Sequence, residues 1–276
     1  MKQNRSNPEE KHVQNNWYYD CDHWSVFRFF VTHIIGPHAE PDLPVLRKLI
    51  QDNPLGLLTT AIPSPNHPFL QSSHIPFVLD IGYGEDETNL GKLRGHLARV
   101  NPQSKVMIEN LTENPHLNNV IEQDVIVIFN SPIQHYVTPK LYTETKPTTG
   151  KVVPTWNYAA IQVYGRARIF HDTKTDGAGR FLSKQILDLS RHAKNKVMGF
   201  TGGDNPIDWK VSDAPDKFIE LLKKSIIGIE IEITSMGGKF KMSQEMGMGD
   251  RQGVINGMSK MVQVRSDLKE AKKASA

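Results

Sequence analysis

Ile226–Thr234 reads IIGIEIEIT, with apolar and charged residues in strict alternation. A period of two puts one set of side chains on each face of a strand, so one face is bound for a core and the other for water. Ser235–Gly238 (SMGG) supplies turn residues and Lys239–Ser243 (KFKMS) returns, which predicts a hairpin. Further strands are predicted over Leu55–Ile62, Ser73–Leu79, Leu90–Ala98, Asp124–Phe129 and Thr155–Phe170, the last with a bulge or bend at Gly165. Helices are predicted from Asp42 to Asn53, within Ser104–Asn119, and over Asp176–His192, Asp213–Ser225 and Asp250–Val262. The helices do not alternate with the strands one for one, so a doubly wound parallel sheet is disfavoured. The pattern predicts a mainly β fold with peripheral helices, built as an antiparallel barrel whose closure removes exposed edges.

Composition narrows the function classes. The one cysteine, Cys21, excludes an intrachain disulfide framework and a multi-cysteine zinc site. Its eleven histidines are scattered without metal-ligand spacing, so no metal is expected. No run of about 18 apolar residues exists to span a membrane, and no signal peptide is evident, which leaves a cytoplasmic or nuclear setting. Lys plus Arg is 33 against 30 Asp plus Glu, a net charge of +3 that does not by itself point to nucleic acid. The GxGxxG fingerprint, the Walker pattern, the GxSxG elbow and HExxH are all absent. Residues 1–35 read as a poorly ordered N-terminal extension, 36–262 as the folded domain, and 263–276 as a charged tail.

Three stretches concentrate polar groups on strands. The first is Ser73-His74-Ile75-Pro76, which also suits an edge strand. The second is Leu93–Pro102 (LRGHLARVNP), where Arg94 and His96 share one strand face with Ala98, and Arg99 and Asn101 follow. Guanidinium groups near one strand end form a candidate anion cradle, because Arg binds phosphate oxygens bidentately. The third is Thr155-Trp156-Asn157-Tyr158, whose flat π surfaces and amide suit a planar heteroaromatic ligand. Each has an ordinary reading as solvated strand or aromatic core, but together they describe a nucleotide-like ligand.

At these residues the chain resembles the PaiB family, the FMN-binding negative transcriptional regulator-like proteins. The resemblance rests on His38–Gly56, Ser73–Pro76, Leu93–Pro102, Tyr136–Pro139 (YVTP), Gly150–Ala160 (GKVVPTWNYAA), Val211–Phe218, Ile227–Ile233, Gly238–Gln244 (GKFKMSQ) and Asp250–Gly257 (DRQGVING). It implies an FMN-binding split β-barrel that works as a homodimer, with FMN at the subunit interface. It further implies Arg94, His96, Ala98, Arg99 and Asn101 at the flavin phosphate and ribityl chain. His74 and Pro76 would lie along the isoalloxazine, with Thr155, Trp156 and Asn157 as a wall. Lys241, Ser243 and Gln244 would close the site, from the same chain or from the partner.

Two functions are carried forward. One is a flavin-dependent transcriptional or redox regulator. No helix-turn-helix with a basic recognition helix is evident, so DNA binding has no support from charge or motif. The other is an FMN-dependent oxidoreductase or flavin reductase, in which the flavin carries the chemistry and no acid–base triad is required. A third, minor reading is a haem-binding split barrel with His74 or His96 on the iron.

Overall fold

The computed structural model describes residues 36–82, 89–203 and 209–274, with side chains through 261. The extension expected over 1–35 lies outside the described residues. The strands are β1 (Ala39–Glu40), β2 (Leu55–Ala61), β3 (Leu70–Pro76), β4 (Val78–Asp80), β5 (Lys92–Ala98), β6 (Val125–Asn130), β7 (His135–Val137), β8 (Thr155–Phe170) and β9 (Ile226–Lys241). The helices are α1 (Leu43–Asp52), α2 (Pro102–Glu113), α3 (Thr145–Thr149), α4 (Asp176–His192), α5 (Asp216–Lys224) and α6 (Met248–Ala274).

Every pairing is antiparallel, in the order β3-β2-β6-β8-β9-β5-β4. β3 lies on one edge and β4 on the other, yet only Phe77 separates them in sequence. One chain passage therefore joins the two edges, and the sheet curls into a barrel split at Phe77. This is the split barrel with peripheral helices that the sequence implies. Phe77 is buried, meets Phe129 edge-to-face at 6.0 Å, and fixes that corner. Gly56 and Gly95 leave room for the two rings, since a Cβ at either would come within about 3 Å of them. The core inside is Leu58, Ile75, Leu93, Leu97, Val127, Ile161, Val163, Ile229 and Ile231, closed by Leu46 and Ile50 of α1 and Met107 of α2.

The predicted hairpin at Ser235–Gly238 does not form. β9 runs on for 16 residues and pairs along nearly its whole length with β8, itself 16 residues long. The register shifts at Tyr164/Gly165, where Tyr164 faces Ser235 and Gly165 faces Ile233. Thr234 is the extra residue, and its bulge reverses the phase of β9. Ile227, Ile229, Ile231 and Ile233 point inward before it, and Met236 after it. Gly238 then lets α1 dock, because a Cβ there would stand 2.3 Å from Leu46 Cδ2. The small residues that suggested a turn serve a bulge and a close helix approach.

Other elements follow the sequence closely. α4 spans the predicted residues, with Thr175 capping Ala178 N–H. The predicted strand Ser73–Leu79 begins earlier and breaks at Phe77. The terminal helix is longer than predicted, its backbone continuing through Ala274. The DRQGVING stretch seats it. Asp250 accepts N–H bonds from Glu144 and Thr145, and Gly253 and Gly257 bring the helix backbone against Leu141. Among the described residues no helix is long and apolar enough to cross a membrane.

Gly165 is the most exacting position in this ladder, since a Cβ would lie 2.2 Å from Glu232 O and 2.7 Å from Ile231 Cγ2. Gly165→Ala is expected to cost about 1–3 kcal/mol, because overpacking here displaces backbone as well as a side chain. Chemical denaturation of wild type and variant checks it.

Candidate functional site

The second polar stretch lies on β5 and the turn after it. β5 alternates as the sequence predicts: Leu93, Gly95 and Leu97 face the core, while Arg94 and His96 face outward beneath α4. Arg94 is only 3% exposed. Its guanidinium meets both carboxylate oxygens of Asp80, the Asp188 carboxylate at 2.8 Å and Gln185 Oε1 at 3.1 Å. Gln185 returns a bond to Arg94 O. Burial works against the charge, but the two carboxylates outweigh it and hold the guanidinium above its ordinary pKa. The same contacts, with Lys184, hold Asp188 below the usual carboxylate range against its own burial. The charge expected at the flavin phosphate is thus already neutralised by an ion-pair centre that ties β4 and β5 to α4.

Arg99 is likewise engaged, donating to the carbonyls of His171 and Lys224 and so clasping the ends of β8 and α5. His96 Nδ1 is buried without a partner, and burial lowers the imidazole pKa. Ala98, at the end of β5, is exposed.

Asn101 closes the stretch at the start of α2. It caps α2, its Oδ1 accepting Gln103 N–H at 2.8 Å, and its Nδ2 donates to Ser73 Oγ at 3.2 Å. Pro102 at the first helical position needs no N–H partner. Gln103 is buried, with Nε2 reaching Thr60 Oγ1 at 3.0 Å, Gln71 O at 3.1 Å and Leu58 O at 3.4 Å. Gln103 Oε1 and Ser104 Oγ are buried and unpartnered. Sequence reasoning gave Ser73 no role of its own and missed Gln103 and Ser104. Ser73 sat within the first stretch and the other two follow the second, but which polar residues touch was invisible there. On the same edge His74 is exposed on the outer face, opposite Leu57, and Pro76 is half-buried at the split.

The third stretch meets the C-terminal residues within the same chain. Lys241 Nζ donates to Thr155 Oγ1, and Ser243 Oγ meets Asn157 Oδ1 at 3.0 Å. Ser243 adopts a left-handed backbone with φ 62°. Gln244 Nε2 bonds the carbonyls of Pro37 and Phe240, and its Oε1 accepts Met242 N–H. Trp156 is 54% exposed and meets its cross-strand neighbour Tyr136 edge-to-face at 6.3 Å.

The two groups are not brought together within one chain. Ala98 pairs with Ile226 at the start of β9, and Lys241 ends that strand. Across the ladders Ser73 shares a row with Leu58, Val127 and Val163, which is three strands over and six residues along β8 from Asn157, about 25 Å over the sheet. Between the groups lies the outer face of β3, β2, β6 and β8. It carries Leu57, Ile126, Ile128, Tyr158 and Tyr164 half-buried, and Leu55 and Leu70 exposed. Among the described residues, no group of three or more His, Cys, Asp or Glu is placed to hold a metal ion.

Residues 32–235 match the family described as "Putative FMN-binding domain", and the chain belongs to that family. FMN is the cofactor this membership assigns. The chain is 51% identical over 255 residues to an uncharacterized protein of Aspergillus fumigatus, covering 85% of this chain and 98% of that one. It is 25% identical over 208 residues to the Protease synthase and sporulation protein PAI 2 of Bacillus subtilis, covering 75% and 79% of the two chains. Among solved structures it is similar to the flavocytochrome Anf3 of Azotobacter vinelandii, with TM-score 0.40, 13% identity, and 74% and 69% of the two chains covered. It is also similar to the FAD and haem binding protein of Mycobacterium smegmatis, with TM-score 0.40, 12% identity, and 74% and 73% covered.

Two outcomes follow from the charge placement. Arg94→Ala is expected to cost about 3 kcal/mol of folding stability, because it leaves two carboxylates facing each other. That is the low end for a broken buried pair, since Asp80 keeps contact with solvent. A stability loss with flavin affinity retained in the folded fraction confirms the structural role. The second concerns pH. His96 and His171 are both held below their ordinary pKa, so acid protonates the unfolded state first. Stability is therefore expected to fall as pH drops below about 6.5. His96→Gln should flatten that fall in denaturation midpoints measured from pH 7 to 5.

Proposed function

We propose that the protein binds FMN between two copies of itself and acts as a flavin-dependent redox regulator. The observation that carries this is the separation of the two polar groups by three strands and six residues across the sheet. Neither group is a flavin site alone, and a second copy seated on the outer face of β3, β2, β6 and β8 would bring one chain's β3 edge, with His74 on that face and the Ser73–Asn101 group just behind it, toward the other's Trp156–Ser243 group. That face is suited to the task, since Leu55, Leu57, Ile126, Ile128 and Leu70 leave apolar surface in water.

The residues fit the cofactor. A phosphate is an acceptor-rich dianion, and the start of α2 offers the positive end of a 12-residue helix, the Asn101 amide and the Ser73 hydroxyl. The Ser104 hydroxyl, buried and unpartnered, is a further donor that the protein alone leaves unsatisfied. Trp156 and Tyr136 offer flat apolar surface for a ring system, and Lys241 and Asn157, fixed by Thr155 and Ser243, offer polar contacts at its edge. His74 and Pro76 line the β3 side. Bound FMN supplies one- and two-electron transfer, while these residues bind and orient it and exclude water.

The regulatory reading takes support from the Bacillus relative, whose name is Protease synthase and sporulation protein PAI 2. An oxidoreductase reading shares the same site. The two part on whether the purified flavoprotein turns over a reductant.

The decisive measurement is the visible spectrum of the purified protein together with its sedimentation. A yellow protein with flavin absorption and dimeric mass is expected. Ile128→Asp, placing a charge in the outer face, should yield monomers with at least tenfold weaker FMN binding. A Soret band would replace FMN by haem, and a monomer that binds FMN with full affinity would overturn the shared site.

A further inference from the structure

We infer that Gln103 is the positioning residue of the phosphate subsite, acting through Asn101 on the Ser73 hydroxyl. The inference rests on the FMN reading above and goes beyond it by assigning a residue that does not itself touch the ligand.

The hydrogen-bond chain has one consistent direction. Gln103 N–H can donate only to an oxygen, so the Asn101 atom it meets at 2.8 Å is Oδ1. Asn101 Nδ2 is then the atom facing Ser73 Oγ at 3.2 Å, and it donates. Ser73 Oγ accepts that bond, so its own O–H proton is left to donate elsewhere. A phosphate oxygen is the partner this proton suits. The second Nδ2 hydrogen of Asn101 is a further donor on the same side chain.

Gln103 fixes the start of this chain. Its Nε2 has two hydrogens and three acceptors in reach, the carbonyls of Leu58 and Gln71 and the Thr60 hydroxyl. Leu58 pairs with Ser73 and Thr60 with Gln71 across β2 and β3. One buried amide therefore pins the first turn of α2 to Leu58, the ladder partner of Ser73, and to the next pair on the same face, Thr60 and Gln71. Without it, α2 keeps its Asn101 cap but loses its set distance from β3, and the Asn101–Ser73 bond at 3.2 Å is the contact that loosens. The prediction is selective: the phosphate of FMN should feel the change, and the ring system should not.

The test is titration of the full chain with FMN and with riboflavin, which lacks the phosphate, followed by quenching of flavin fluorescence. Gln103→Met keeps side-chain length without the amide. It is expected to weaken FMN by about tenfold, the scale of a hydrogen bond to a charged group, and to leave riboflavin within about twofold. Thr60→Val removes a single acceptor with little change of shape, and is expected to weaken FMN about threefold with the same selectivity. Should Gln103→Met not fold, Thr60→Val decides. Equal losses for FMN and riboflavin, or unchanged FMN affinity in a variant of lowered melting temperature, would show a merely structural role and overturn the inference. Wild-type protein that binds riboflavin as tightly as FMN also overturns it. Wild-type protein that binds neither flavin overturns the FMN reading itself.

Discussion

The ladder between β8 and β9 is the constraint on which the rest depends. Two strands of 16 residues pair antiparallel through one bulge at Thr234. Each strand is long enough to belong to two environments. The early half of β9 pairs with β5 and presents Glu230 and Glu232 outward, and its later half pairs with β1 and receives α1. A bulge adds twist and reverses the phase of the side chains beyond it. That reversal keeps an apolar row facing inward as the sheet turns, and it carries Lys241 and Ser243 away from β5 toward the β7–β8 tip. The two halves of the proposed site thereby stand apart on the sheet.

Charge is handled unequally across the molecule. Arg94 is desolvated and balanced by Asp80 and Asp188, so it serves cohesion between β5 and α4. The start of α2 is the reverse: neutral donors and a helix end, with no carboxylate among its contacts. A dianion is better received by the second arrangement, because a guanidinium already paired with two carboxylates offers little net charge. In the proposed phosphate subsite, holding the anion by oriented neutral groups would make the orientation itself matter, which is the influence inferred for Gln103.

Much of the fold was legible because burial leaves a period in the sequence. The isoleucines of β9, the Leu93-Gly95-Leu97 row of β5 and the helix Asp176–His192 all read correctly for that reason. The hairpin at Ser235–Gly238 was misread, since a small-residue run looks the same whether it serves a turn or a close approach by Leu46. Phe218, Leu221 and Leu222 of α5 form an apolar stripe, yet they stand 44–64% exposed. Amphipathic spacing announces a face and not what covers it. Of the site, the pairings Thr155–Lys241 and Asn157–Ser243 gather residues that the family motifs named, whereas the Asn101–Ser73 contact and Gln103 emerged only with the packing of α2 on β3.

The sequence by itself determined the class of architecture and the chemical kinds of residue at the site. Alternation sets which side chains face a core, and aromatic, amide and cationic types persist through any folding. Tertiary structure decided which cations remain free, which polar groups meet, and how far apart the two groups lie. Those quantities depend on contacts between residues distant in the chain, as between Arg94 and Asp188 or Asn101 and Ser73. No local periodicity encodes such contacts; they follow from the register of β8 on β9 and from the docking of α2 and α4 on the barrel.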